Sequence, residues 1–343
     1  MDKTVVLAVA GAGKSKAIID RLNKDSRCLI VTYTENNTLN LQSRILKKFG
    51  SIPKGIRVYS YFTFLFSFCF RPVIGDKAKG INFAKKLPAK AQMTKKTTKE
   101  HFIDDGRRIY ASRIAKLFTQ YPKAGGNLCR RIEKYFDLVC VDEVQDFAAN
   151  DFNLLLKLAE ANVELLLLGD FFQHTFDTSR DGRIQENLHK NLQMYKEKFE
   201  GAGYNVDTKS LLKSHRCSPS VCDFVSNKIG IEIESHRKDK VQVTFIDDSK
   251  KVDELFQNDS LIKLFYSNSD KYHGYTNNWG NTKGLDDFED VCVVLNKTTL
   301  TNFKNDKLNE LKSTTKNKLY VACTRAKGSL FFVPYHMVAK FKI

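Results

Sequence analysis

The chain has 343 residues, 42% of them hydrophobic, and carries 56 Lys and Arg against 39 Asp and Glu, a formal net charge of +17. This length and apolar content predict two or three domains, each with its own core, and exclude a disordered chain. The basic balance favours a polyanionic partner such as nucleic acid over an acidic small substrate.

No apolar run reaches membrane-spanning length, and no charged segment followed by a long apolar one opens the chain, so neither membrane insertion nor secretion is expected. The 8 cysteines include no C-x-x-C pair, and Cys28, Cys140, Cys292 and Cys323 sit inside apolar runs. They read as reduced packing residues of a cytoplasmic protein, not as disulfides or zinc ligands.

Residues 4–9 predict a first strand, from which Ala10, Gly11, Ala12, Gly13, Lys14 and Ser15 turn into a helix. Small residues there let backbone N–H groups and a helix N-terminus surround phosphates, with Lys14 on the β/γ oxygens and Ser15 on magnesium. A second strand, residues 28–31, delivers Thr32, Tyr33, Thr34, Glu35 and Asn36 at its carboxyl end. Hydroxyls, an amide and an aromatic ring in that position suit phosphate contacts and base stacking. Residues 57–65 repeat the theme around Tyr61, although the aromatics of residues 62–70 also suit a core.

From Lys77 to Lys99 the chain carries Lys77, Lys79, Lys85, Lys86, Lys90, Lys95, Lys96 and Lys99 and no acidic residue. Such a run is a solvated face or an electrostatic footprint for nucleic acid. Residues 66–134 read as a small inserted subdomain, partly helical over residues 107–120.

Residues 138–141 form an unbroken apolar run, as in a parallel strand covered on both faces, and lead into Asp142, Glu143, Val144, Gln145 and Asp146. The carboxyl end of such a strand is where open α/β sheets place their chemistry. Asp142 would hold magnesium there, and Glu143 would orient or deprotonate a water. A helix over residues 153–161 and a strand over residues 163–168 follow, ending in Gly169, Asp170 and Gln173. Strand-then-helix units restart near Asn205. Their landmarks are Ser214, His215 and Arg216, then Thr282, Lys283, Gly284 and Leu285, a strand over residues 291–295, and Thr324, Arg325 and Ala326. Arg216 and Arg325 stand at element boundaries, where a guanidinium can reach a phosphate, although either one alone reads equally as a surface salt bridge.

Taken in this order, the segments from Ala10 to Ser15, Thr32 to Thr34, Asp142 to Asp146, Gly169 to Gln173, Lys283 to Leu285 and Tyr320 to Ala326 resemble the UvrD/Rep/PcrA group of superfamily 1 DNA helicases. The resemblance spans nearly the whole chain. It implies an α/β fold of two RecA-like P-loop NTPase lobes with parallel sheets, residues 1–200 and 201–343, with ATP and Mg2+ between them and single-stranded or partly single-stranded DNA across their top. By position it assigns Lys14, Asp142, Glu143, Gln173, Arg216 and Arg325 to catalysis, the two arginines as fingers, and Ser15 and Asp142 to magnesium. ATP contacts would come from Ala10 to Ser15, Gln145, His215 and Gly284. DNA contacts would come from Thr32, Tyr33, Thr34, Asn36, Tyr61, Phe176 and Thr282.

Departures accompany the match. His215 replaces the adenine-stacking tyrosine, Thr178 replaces a stacking tryptophan, Gly280 replaces a histidine, and the segment Asp286, Asp287 and Phe288 looks one residue longer than the family's Glu-Phe. The stretch between Arg216 and Lys283 is too short for the family's large accessory domain. The compact layout also resembles UvrD-like proteins that stand beside an OLD-type nuclease in bacterial anti-phage systems such as Gabija. Two functions follow as expectations: an ATP-driven translocase or helicase, or a DNA-end or single-strand sensor that controls a partner nuclease.

Overall fold

A computed structural model describes residues 1–84, 87–178, 181, 183–285 and 288–343. Two compact units emerge. The first comprises Met1–Val6, Ser15–Gly169 and Phe176–Asp207, the second Leu7–Lys14, Asp170–Thr175 and Thr208–Ile343. Expectations resting on Lys85, Lys86, Asp286 and Asp287 lie outside the described residues.

The strands of the chain are β1 (Lys3–Leu7), β2 (Cys28–Thr32), β3 (Ile56–Ser60), β4 (Gly80–Asn82), β5 (Arg108–Tyr110), β6 (Leu138–Val141), β7 (Glu164–Gly169), β8 (Asn205–Asp207), β9 (Lys213–Ser214), β10 (Glu234–Ser235), β11 (Val243–Phe245), β12 (Ile262–Phe265), β13 (Thr276–Asn278), β14 (Val291–Leu295) and β15 (Leu330–Pro334).

In the first unit one sheet runs β3-β2-β6-β7-β1-β8. Its β2–β3, β2–β6, β6–β7 and β1–β8 ladders are parallel. β2 is buried along its whole length and β6 over its last three residues, as the apolar runs require of strands covered on both faces. The strand near Asn205, expected to open a second lobe, instead closes this sheet: Val5 pairs with Val206. The helix expected at residues 153–161 is Ala149–Leu158, starting earlier because the Ala148 carbonyl already accepts from the N–H groups of Asp151 and Phe152. Tyr61–Thr63 forms a helical turn that opens into a π-helix, Phe64–Phe70, in which Phe64, Leu65, Phe68, Cys69 and Phe70 are buried. Those aromatics are core.

Within the inserted segment β4 pairs with β5, and the helix Ala111–Gln120 follows directly. That helix buries two cations, Arg113 and Lys116. Lys116 Nζ donates to Asp181 Oδ2 at 2.8 Å, Asn150 Nδ2 donates to the same oxygen at 3.2 Å, and an Arg113 Nη lies 3.9 Å from Asp181 Oδ1. Burial alone would raise the Asp181 carboxyl, but the Lys116 bond and the two positive charges outweigh it and hold it below its ordinary 3.8. A carboxyl lowered by folding stabilises fully above its unfolded value and loses that contribution as pH falls through the folded one. Lys116→Met, which leaves a buried carboxylate short of a partner, is expected to lower the unfolding free energy by about 3 to 5 kcal/mol at neutral pH. Urea titration measures this. The same titration carried below the ordinary carboxylate range should show wild type losing stability more steeply than Asp181→Asn.

The second unit is built on the sheet β11-β15-β14-β12-β13, parallel throughout, and also holds the short separate parallel pair β9–β10. Trp279 is its largest fully buried side chain, its indole N–H donating to Leu264 O at 2.9 Å. The core of this unit takes in Ala8, Val9, Ala10 and Ala12 together with Cys217, Val293, Tyr320 and Cys323. All eight cysteines are buried and free, as expected of packing residues. No helix among the described residues is long and apolar enough to cross a membrane.

Candidate nucleotide and nucleic-acid sites

The phosphate loop sits in the second unit, between β1 and the helix Lys14–Asp20. Gly11 and Gly13 take φ of 72° and 90°, the left-handed region open to glycine. Gly11 has a second constraint. A Cβ there would lie 2.7 Å from Arg216 Cβ and 2.7 Å from Ser214 Oγ, so only glycine lets the loop pack this tightly against the Ser214–Arg216 turn. Backbone bonds tie the two segments: Val9 N–H donates to Leu211 O at 3.0 Å and His215 N–H to Gly11 O at 2.9 Å. Ser214 Oγ in turn accepts from the N–H of Arg216 and of Cys217. A lone buried serine two residues before an arginine carries no periodic signal, so Ser214 has no mark in the sequence.

Arg216 is half-buried and donates from Nη1 to Thr324 O at 3.1 Å. Arg325 is 1% exposed, and its guanidinium donates to the carbonyls of Val321, Thr282 and Leu285. The two expected fingers therefore differ: Arg216 packs on the loop, while Arg325 stitches its helix to the turn that carries Lys283 and Gly284. Thr282 is buried, and its hydroxyl donates to Trp279 O at 2.8 Å. Gly284 adopts a φ of 81° within this turn. The exposed His215 ring stacks on His236, centroids 4.0 Å apart and planes 8° from parallel. A flat face of this kind beside the loop suits a nucleobase.

Tyr320, on the helix Ser313–Cys323, links the loop to the Phe171–Gln173 turn. The Ala10 N–H donates to its hydroxyl at 2.8 Å, and the hydroxyl donates to Asp170 Oδ2 at 2.9 Å. Asp170 Oδ1 accepts from Phe172 N–H, which starts the turn that buries Gln173. Burial, reinforced by the Asp170 charge, pushes the Tyr320 phenol well above its ordinary range.

In the first unit, Asp142 is 3% exposed at the end of β6, and its Oδ1 accepts from Glu143 N–H at 3.0 Å. Glu143 adopts φ 58° and ψ 43°, left-handed backbone that a non-glycine residue takes only at a cost. The Gln145 side-chain amide donates to the Glu143 carboxylate. Gln145 fits because its neighbour on β7 is glycine: a Cβ on Gly169 would lie 2.4 Å from Gln145 Oε1. Gln145 thus orients Glu143 here. The hard oxygen donors of Asp142 and Ser15 are the chemistry that magnesium prefers.

At the end of β2, Thr32 is fully buried and Thr34 caps the helix Glu35–Phe49, its Oγ1 accepting from Asn37 N–H at 3.1 Å. Asn36 is exposed in the first turn. Tyr61 is buried edge-on against Phe147 at 4.7 Å. Thr32, Tyr61 and Thr282 were expected beside a DNA backbone, but their burial makes them supports of the surface. Half-buried Tyr33 and 40% exposed Phe176 do present rings, with centroids 5.4 Å apart. Thr178, where a stacking tryptophan was expected, is bound into the chain: its N–H donates to Asp146 O and its Oγ1 accepts from Ala148 N–H.

Parallel sheets and a glycine loop between a strand and a helix are the fold of a P-loop NTPase. The chain belongs to the viral superfamily 1 RNA helicase core domain family, whose model matches residues 122–334. The superfamily-level resemblance therefore stands, while the matching branch is the viral one and not the UvrD/Rep/PcrA group. Among curated proteins, no sequence matches. Among solved structures, arterivirus nonstructural protein 10, a helicase, in complex with DNA is 15% identical with a TM-score of 0.52, over 99% of this chain and 63% of that one. A crystal structure of the same arterivirus helicase is 14% identical with a TM-score of 0.51, over 96% and 59%. The PRRSV helicase is 15% identical with a TM-score of 0.49, over 98% and 53%. These likenesses concern the fold. The chain spans between about half and just under two thirds of each of these structures.

Proposed function

We propose that the protein is an ATP-driven motor that moves along a single strand of nucleic acid. The observation that carries the reading is the packing of Gly11 against the Ser214–Arg216 turn, which seats the arginine's backbone and Cβ directly on the loop whose N–H groups and Lys14 would cradle phosphates. Lys14 and Ser15 hold the phosphates and magnesium, and Asp142 shares the metal. Glu143, steadied by Gln145, takes the proton of the attacking water. Gln173 couples the γ-phosphate to the strand, and Arg216 stabilises the charge that develops during transfer. Magnesium, when bound, neutralises phosphate charge.

Tyr33 and Phe176 stack on bases, and the exposed Lys77, Lys79, Lys95, Lys96 and Lys99 supply phosphate-directed charge. RNA is the substrate that the family suggests, and DNA the one that the UvrD-like motifs suggest. No observation favours the nuclease-controlling sensor, and that reading is set aside. The test is steady-state ATP hydrolysis with and without oligo(U) and oligo(dT). Stimulation by either strand is expected, and the better activator names the substrate. Hydrolysis that neither strand accelerates would overturn the proposal.

A further inference from the structure

Four aromatic rings of the first unit form a continuous row, of which the motifs account for only the first two. Phe176 lies 5.4 Å from Tyr33, Tyr33 lies 6.1 Å from Phe62, and Phe62 lies 4.9 Å from Phe83, edge to face at 86°. Both ends of the row are exposed, Phe176 at 40% and Phe83 at 60%, with Tyr33 and Phe62 half-buried between them. A single exposed phenylalanine is ordinary, but a linked row ending in open solvent is not what burial of apolar area produces.

The segment around Phe83 is built to hold that ring out. Asn82, at the end of β4, accepts from Ala84 N–H through Oδ1 at 2.9 Å and donates through Nδ2 to Asp104 Oδ2 at 2.7 Å. The backbone on both sides of Phe83 is thereby held, which reduces the ordering that a ligand must impose on this segment. The sequence before the ring is basic. Lys77 and Lys79 precede Phe83 in the acid-free run, and both are exposed.

We infer that Phe83 is a stacking residue for a base of the bound single strand, extending the Phe176–Tyr33–Phe62 row onto the inserted subdomain. The inference rests on the strand-binding reading above. Its occupant is the base itself: every base has a π-face, a row of rings offers successive stacking positions, and the lysines match the strand's phosphates. An acidic protein segment would use the lysines and leave the rings without a periodic partner.

The test uses labelled oligo(U) and oligo(dT) titrated across a salt series into wild type, Phe83→Ala and Phe83→Trp. Phe83→Ala is expected to weaken binding by about 5- to 150-fold, the loss of one base stack, with an unchanged slope of log affinity against log salt. Phe83→Trp should bind like wild type, and its emission should be quenched by the strand, a clean signal because the one native tryptophan, Trp279, is buried. Equal affinities for wild type and Phe83→Ala, or unquenched Phe83→Trp emission when the strand is bound, would overturn the inference and leave the strand-binding reading standing. Failure of wild type itself to bind either oligonucleotide would overturn both.

Discussion

Glu143→Gln is expected to cut ATP turnover by about 10² to 10⁴, the usual contribution of a positioned base, while ATP binding is retained. The substitution preserves shape and keeps an oxygen that can accept from the Gln145 amide, so the backbone held at φ 58° has no new reason to relax. It removes only the group proposed to take the water's proton. Lys14, Ser15 and Asp142 stay in place, so the variant should trap ATP. Single-turnover hydrolysis together with a fluorescent-nucleotide titration reads both quantities. Hydrolysis at the wild-type rate would withdraw the catalytic role, and lost binding would make Glu143 part of the nucleotide cradle.

Arg216→Ala is expected to lower turnover by about 10³ or more with ADP affinity changed far less, because a finger acts on charge that grows during phosphoryl transfer. Arg325→Ala should behave differently. Its guanidinium binds the carbonyls of Thr282, Leu285 and Val321 inside the core, so truncation leaves buried acceptors unmet and should lower the thermal midpoint as well as the rate. Turnover, ADP affinity and thermal melting of the two variants, measured side by side, separate the roles. Equal losses of ADP affinity and turnover in Arg216→Ala would make Arg216 a ground-state phosphate ligand.

Local patterns in the chain exposed the parts of this architecture whose signals are themselves local. The apolar runs at β2, β6 and β14 stand almost where they were read, because a strand buried on both faces has no polar interruptions to misplace. The phosphate loop was legible because glycines at positive φ and a following helix are short-range requirements. What escaped depends on partners distant in sequence. Asn205 begins a strand either way, and only its pairing with Thr4 assigns it to the first sheet. Lys116 reads as a surface lysine of a helix until Asp181 arrives from a distant loop. Thr32, Tyr61 and Thr282 have the chemistry of strand contacts, but chemistry alone does not reveal that neighbouring side chains cover them. Phe83 lay inside a lysine run and was masked by it.

The Tyr320 hydroxyl has a polarity that cannot be reversed. The Ala10 amide can only donate, so the hydroxyl must receive on that side and pass its own proton towards Asp170. The three groups form a one-way relay in which each bond strengthens the next. An incoming acceptor that claims the Ala10 N–H for itself depolarises the hydroxyl, weakens its donation and leaves Asp170 carrying more uncompensated charge at the start of the turn that holds Gln173. The same chain of bonds therefore joins the loop's first amide to the carboxylate that caps the Phe171–Gln173 turn.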